Sequence, residues 1–287
     1  IASVESPSAN AVNSNGLKIV SDELITAYYE LSATTNKEIF TLKGNKGLGT
    51  DFYTPFQKNW NNASIAPSTF SSIDIVATEN NTTVVITPKT DIVGHNEGST
   101  FNITLNEGET YSARDVNLSA TTSLAGSIVS SDKPVAVTVF SGALINDGCN
   151  SSMGDQITPS NYLGRDFIVH RGTSSDDRVY ILATQNSTSI TIENMSTTTT
   201  LINWSETYEL DLTDDINYIS CSKPVYVWHA SGNGCNLNGA QVPHIYCAGK
   251  YDQTFTRANA DSLGLIVHIR AGYEDDFLLN GSSTLLQ

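Results

Sequence analysis

Positive charge is what this sequence has least of. Its 287 residues hold 15 Lys or Arg against 30 Asp or Glu, a net charge of −15. Such a balance disfavours nucleic acid and anionic membrane as partners, because both need a basic face. The chain also lacks any apolar run near the roughly 18 residues that a membrane-spanning helix requires. No signal peptide opens at Ile1, which fits a processed or internal start. No window of a dozen residues shows 3.6-periodic apolar spacing with capping residues, so helices are not expected. Catalytic signatures are missing as well. Five histidines (His95, His170, His229, His244 and His268) are scattered and form neither H-E-x-x-H nor part of a nucleophile elbow. Lys43-Gly44-Asn45-Lys46-Gly47-Leu48-Gly49 resembles a phosphate loop but has no Gly-Lys-Ser/Thr ending and no following helix.

What is present is repetition. Ser131-Asp132-Lys133-Pro134-Val135-Ala136-Val137 returns as Cys221-Ser222-Lys223-Pro224-Val225-Tyr226-Val227, with a worn copy at Ser21-Asp22-Glu23-Leu24-Ile25. Each copy is followed by a glycine: Gly49, Gly164 and Gly249. The first two continue as Gly-x-Asp-Phe, ending at Phe52 and Phe167. Ala77-Thr78 to Ile86 matches Ala183-Thr184 to Ile192, and Glu109-Thr110-Tyr111 matches Glu206-Thr207-Tyr208. Matching segments keep their order while their offsets fall, so the units differ in loop length.

The repeated segments read as strands. Ile73 to Thr78 and Thr83 to Thr87 flank the turn residues Asn80-Asn81, a hairpin pattern that recurs around Asn186-Ser187. Proline in Lys-Pro-Val has no amide donor and suits the first residue of a strand, here Val135 to Phe140 and Val225 to His229. The fold expected is all-β, built of tandem β-sandwich-like modules of about 85–115 residues, each with six or seven strands. A β-propeller made from the same repeats is the alternative. The units expected are 51–163 and 164–248, preceded in 1–50 by the C-terminal half of a unit and followed in 249–287 by the N-terminal half of another. A chain divided in that way is expected to be part of a longer protein and to associate through its incomplete ends.

Side chains that carry chemistry are few. Four cysteines (Cys149, Cys221, Cys235 and Cys247) point to disulfides in an oxidising compartment. Cys235 and Cys247 share one irregular stretch and are the expected bridge; Cys149 and Cys221 either pair or stay free. Asp211, Asp214 and Asp215 are the first choice for a calcium site should the chain hold one, although no EF-hand or nonapeptide signature accompanies them. Otherwise no cofactor is expected. Trp60 and Trp204 lie in Asn/Ser/Thr-rich stretches where an exposed indole stacks on sugars, whereas Trp228 sits in a core-like strand. Asn-x-Ser/Thr sequons at Asn62, Asn102, Asn117, Asn150, Asn194 and Asn203 would carry glycans in a eukaryotic secreted protein.

In combination, Ser131 to Val137, Ser141-Gly142, Cys149, Gly164 to Val169 and the stretch Leu105 to Ser130 resemble the N-terminal domain of the IgG-Fc-binding protein family. The third copy, with Cys235, Pro243 and Cys247-Ala248-Gly249, is similar to that family's paired-cysteine loop. The resemblance covers most of residues 17–280. It implies a secreted surface or matrix protein with an adhesive role and no catalytic activity, as in mucus-associated animal proteins and large surface proteins of gliding bacteria. The middle unit departs from animal members in having one cysteine where they tend to have two. The function expected is a non-enzymatic structural or adhesive segment of a large secreted cell-surface or filament protein. Its expected partners are glycoproteins, glycans or further copies of itself, bound through variable loops such as 142–163 and 230–248. A carbohydrate- or glycoprotein-binding module is the alternative.

Overall fold

The two Lys-Pro-Val phrases lie in the middle of the two longest strands, Ile128–Asn146 and Ile216–Asn233. In the computed structural model the described residues are 6–31, 38–65, 69–173, 176–193, 198–246, 266–269, 271–273, 276, 278 and 281–282. Residues 1–249 form one compact unit and 250–287 a second. In the first unit the strands are β1 (Val12–Asn13), β2 (Tyr28–Leu31), β3 (Glu38–Thr41), β4 (Leu48–Tyr53), β5 (Ser71–Ala77), β6 (Thr82–Thr87), β7 (Phe101–Leu105), β8 (Thr110–Arg114), β9 (Ile128–Asn146) and β10 (Cys149–Ile157). They continue as β11 (Gly164–His170), β12 (Arg178–Ala183), β13 (Thr188–Ile192), β14 (Thr198–Ile202), β15 (Thr207–Asp211), β16 (Ile216–Asn233) and β17 (Asn236–Gln241).

The chain is all-β, and its strands make two sandwich-like modules in tandem. In the first, β9 pairs with β4 and β10 along one edge and with β6 and β5 along the other. In the second, β16 pairs with β11 and β17 along one edge and with β13 and β12 along the other. The strand β1 adds to β8 at the edge of the first module.

Proline is therefore not the first residue of a strand; it sits at a corner inside one. On β9, Ser131 pairs with Val84 and Val135 with Ala77, and 132–134 have no ladder partner. On β16 the same gap falls at 222–224, between Cys221 paired with Ile190 and Val225 paired with Ala183. A missing N–H costs nothing where no hydrogen bond is required, which is why a bulge accepts proline. Across the other edge the gap faces Gly-x-Asp. Gly49 pairs with Val135 and Asp51 with Ser130, just as Gly164 pairs with Val225 and Asp166 with Ser220. The two phrases that repeat in sequence are thus cross-strand partners. The glycines are required by close approach: a Cβ at Gly49 would lie 2.4 Å from the Pro159 ring, and one at Gly164 would lie 2.1 Å from His244.

The hairpin turns repeat atom by atom. Lys133 Nζ donates to Asn80 O and Lys223 Nζ to Asn186 O. Thr78 and Thr184 donate their hydroxyls to the carbonyls of Pro134 and Pro224. Asn81 and Ser187 hold the left-handed turn position, both with φ 54°. These bonds account for the spacing of Asn, Thr and Lys in the repeat. The worn copy at 21–25 behaves differently: no strand pairs with it among the described residues, and Ile25 is 56 % exposed, whereas Val135 and Val225 are fully buried.

Two cores follow from strand alternation. Val179, Ile181 and Ala183 of β12, with Val225 and Val227 of β16, face the interior of the second module beside Phe167, Ile190 and Ile219. The intervening Tyr180, Leu182, Tyr226, Trp228 and Ala230 belong to the core of the first module, with Phe56, Trp60, Met153 and Ile157. Strands buried on both faces read as unbroken apolar runs, which is how Val179 to Ala183 and Val225 to Ala230 appear in the sequence.

Candidate binding site at the module junction

The stretches expected to be variable binding loops, 142–163 and 230–248, are mostly hairpin. Residues 142–157 lie in the β9–β10 hairpin, and 230–241 in the β16–β17 hairpin. Both are engaged in holding the modules together. Leu237 N donates to Ser151 Oγ (2.9 Å) and Gln241 N to Asp155 Oδ2 (3.0 Å). Gln241 Oε1 accepts from Thr158 N (2.8 Å), and Gln156 Oε1 accepts from Lys43 N (2.6 Å). Gln156 and Gln241 each stand eight residues before the repeat glycine, so one bond ties successive hairpins β2–β3, β9–β10 and β16–β17 in turn.

The disulfide closes the same contact. Cys235 bonds Cys149, with Cα atoms 5.5 Å apart, and not Cys247, which lies outside the described residues. The reason is geometric. Cys149 and Cys235 follow Gly148 and Gly234 at the tips of equivalent hairpins, and stacking those hairpins brings the tips together. Cys221 is buried as a free thiol inside the second module, and burial pushes its pKa up to about 12. It is packing material, not a partner for Cys149.

Beneath the hairpins lies an ionisable cluster. Lys43 Nζ contacts Asp155 Oδ2 at 2.5 Å, and Glu38 of β3 is 6 % exposed beside them. Burial, then the neighbouring Asp155 charge, pushes the Glu38 carboxyl up to about 8, against one hydrogen bond from Ile39 N. Burial also pushes Asp155 up and Lys43 down, despite their attraction. Because Glu38 has a folded pKa above its unfolded value, its contribution to stability is complete below about pH 4.5 and is lost as pH rises toward 8. Chemical denaturation of Glu38→Gln and the parent chain at several pH values should show the difference between them changing by about 1.4 kcal/mol per pH unit across that window. A constant difference would refute the buried, protonated Glu38.

The other sequence candidates fall in different places. Trp60 is buried in the first core, not exposed; the aromatic stretch around it folds inward, where Gln57 binds its backbone on both sides. Trp204 is 43 % exposed and sets its ring edge-on to Tyr53, centroids 6.4 Å apart. Asp211, Asp214 and Asp215 are not assembled as ligands. Arg178 takes Asp211 at 2.9 Å, and among the described residues no group of three acidic, His or Cys side chains converges on a metal-sized site. Asn62 is buried, donating to Gly142 O and accepting from Ser71 Oγ, so no glycan fits there. Asn102, Asn150 and Asn203 are exposed and Asn117 half-buried, while Asn194 lies outside the described residues. His229 Nε2 and Ser231 Oγ both bind Asp177, at 2.5 Å each. Burial pushes Asp177 up, but these two bonds and Gly172 N outweigh it and hold the carboxyl below its usual range. With hydroxyl and imidazole both bound to the carboxylate, no nucleophile–base pair exists there.

A cleft of about 500 Å³ opens between the modules. The first module contributes Lys58, Lys89, Thr90, Glu97 and 121–123; the second contributes Ile202 and Ser205 to Thr207 from the β14–β15 turn. That turn departs from the repeat. In the first module it reads Asn106-Glu107-Gly108; here it reads Asn203-Trp204-Ser205. Ser205 keeps the left-handed conformation (φ 65°) that Gly108 adopts without cost. The strain, on the order of 1 kcal/mol, is offset by a bond from Ser205 Oγ to Gly126 O (3.2 Å) across the junction. No sequence pattern marks the cleft; its one visible signal is this break in the repeat.

A family model described as IgGFc binding protein matches residues 38–285. No curated protein and no solved structure matches the chain.

Proposed function

The chain belongs to the IgGFc binding protein family, and from that premise we propose that it is an extracellular, non-enzymatic adhesive segment that grips glycoproteins at the junction of two rigid modules. The observation that carries this reading is the shared core. Tyr226 and Trp228 of the second module pack with Met153 and Ile157 of the first, and Cys149–Cys235 locks the hairpin tips. Rigid presentation of a recessed polar surface limits the entropy lost on binding. The disulfide accords with an oxidising compartment, and no helix among the described residues is long and apolar enough to cross a membrane.

The second reading, direct glycan recognition, is favoured by Trp204, which is 43 % exposed and directly precedes the cleft-lining Ser205. To test the proposal, residues 1–287 would be immobilised and presented with secreted glycoproteins in biolayer interferometry, beside a broad hydrolase panel. Saturable binding without turnover is the expected result. Turnover of any panel substrate, or no binding to any glycoprotein, would overturn it.

A further inference from the structure

The junction cleft carries two lysines, Lys58 and Lys89, on the wall that the first module contributes. Among the described residues, Lys18, Lys43 and Arg178 each meet a carboxylate, whereas Lys58 and Lys89 meet none. Their backbones are fixed: Lys58 N–H serves the buried Tyr180 hydroxyl, and Lys89 N donates to Ser127 Oγ at 2.9 Å. Both side chains are exposed.

We propose that this cleft binds the carboxylated terminal sugar of a glycan, Lys58 and Lys89 taking the carboxylate. The inference rests on the glycoprotein-binding reading above and names the part of the glycoprotein that is read. Four features select the ligand. Two lysines suit one anionic group, and the acidic surround repels a polyanion. Thr121, Thr122 and Thr207 offer hydroxyls that both donate and accept, as sugar hydroxyls do. Glu97 and Glu206 accept from hydroxyls and oppose denser negative charge. No aromatic ring lines the cleft, so it has no platform for a nucleobase. Its volume of about 500 Å³ falls within the roughly 300–1,000 Å³ of small-ligand sites.

The full chain would be titrated with sialyllactose, lactose and sulfolactose by calorimetry, and compared with the Lys58→Ala/Lys89→Ala double variant. Both lysines are exposed, so the variant should melt as the parent does, which thermal unfolding would check. Sialyllactose should bind about tenfold more tightly than lactose, and the double variant should lose about that factor. Equal affinity for the two sugars, an unchanged double variant, or preference for sulfolactose would overturn the proposal. A glycoprotein bound equally before and after sialidase treatment would overturn it too, while leaving the proposed function standing.

Discussion

Replacing both Cys149 and Cys235 by serine is expected to lower the stability of residues 1–249 by about 2–5 kcal/mol. The bridge spans 86 residues of sequence. Closing a loop of that length removes denatured-chain entropy worth about 4–5 kcal/mol in the chain-entropy account, and engineered removals usually show somewhat less. The native state loses little beyond the bond itself, because Asn146 Nδ2 still donates to Cys235 O and the hairpins still pack through Ser151 and Leu237. The double variant should therefore fold at lower temperature into the same structure. Non-reducing peptide mapping of the parent should yield a Cys149–Cys235 crosslink. Recovery of Cys235 joined to Cys247, or a variant as stable as the parent, would refute the arrangement. Cys221→Ala removes no bridge and should fall well short of this loss.

Trp228→Ala should cost about 3–5 kcal/mol, in the range for a large buried aromatic. Trp228 is 2 % exposed, fills the contact between the modules and donates its indole N–H to Met153 Sδ at 3.3 Å. Gly239 is bare at this point because a Cβ would lie 2.4 Å from Met153 Cγ and 2.9 Å from the indole nitrogen, so the site has no slack to close the cavity. Both modules contribute to the core that loses the side chain. The parent and the variant should each unfold in one calorimetric transition, with the variant at lower temperature. Two separate transitions in the parent would show that the modules are independent beads, contrary to the shared core. By the same reasoning, residues 164–246 alone would expose Tyr180, Leu182, Tyr226 and Trp228 on one face, a surface that favours aggregation.

Strand positions were legible because alternation and turn chemistry are local. Asn80-Asn81 and Asn186-Ser187 end and begin strands by their own hydrogen bonds, whatever the rest of the chain does. Family membership was legible from the same repeated phrases. Trp60 was misread because Asn, Ser and Thr around an indole look like surface, yet Gln57 and Asn62 satisfy the polar groups inside. The bridge was misread because nearness along the chain favours Cys247 for Cys235, while stacking of equivalent hairpins brings Cys149 to it from 86 residues away. The cleft was invisible for the related reason that Lys58 and Lys89 come to line one surface with Glu206 and Thr207 only across the junction.

By itself the sequence determined an all-β chain of tandem modules, because the period of two and the Lys-Pro-Val and Gly-x-Asp-Phe phrases are properties of short segments. Only the tertiary structure decided that those phrases pair with one another, that β12 and β16 serve two cores at once, and that the modules meet around a lysine-bearing cleft. The physical reason is that backbone geometry acts over neighbouring residues, whereas burial and charge pairing depend on which faces meet in space.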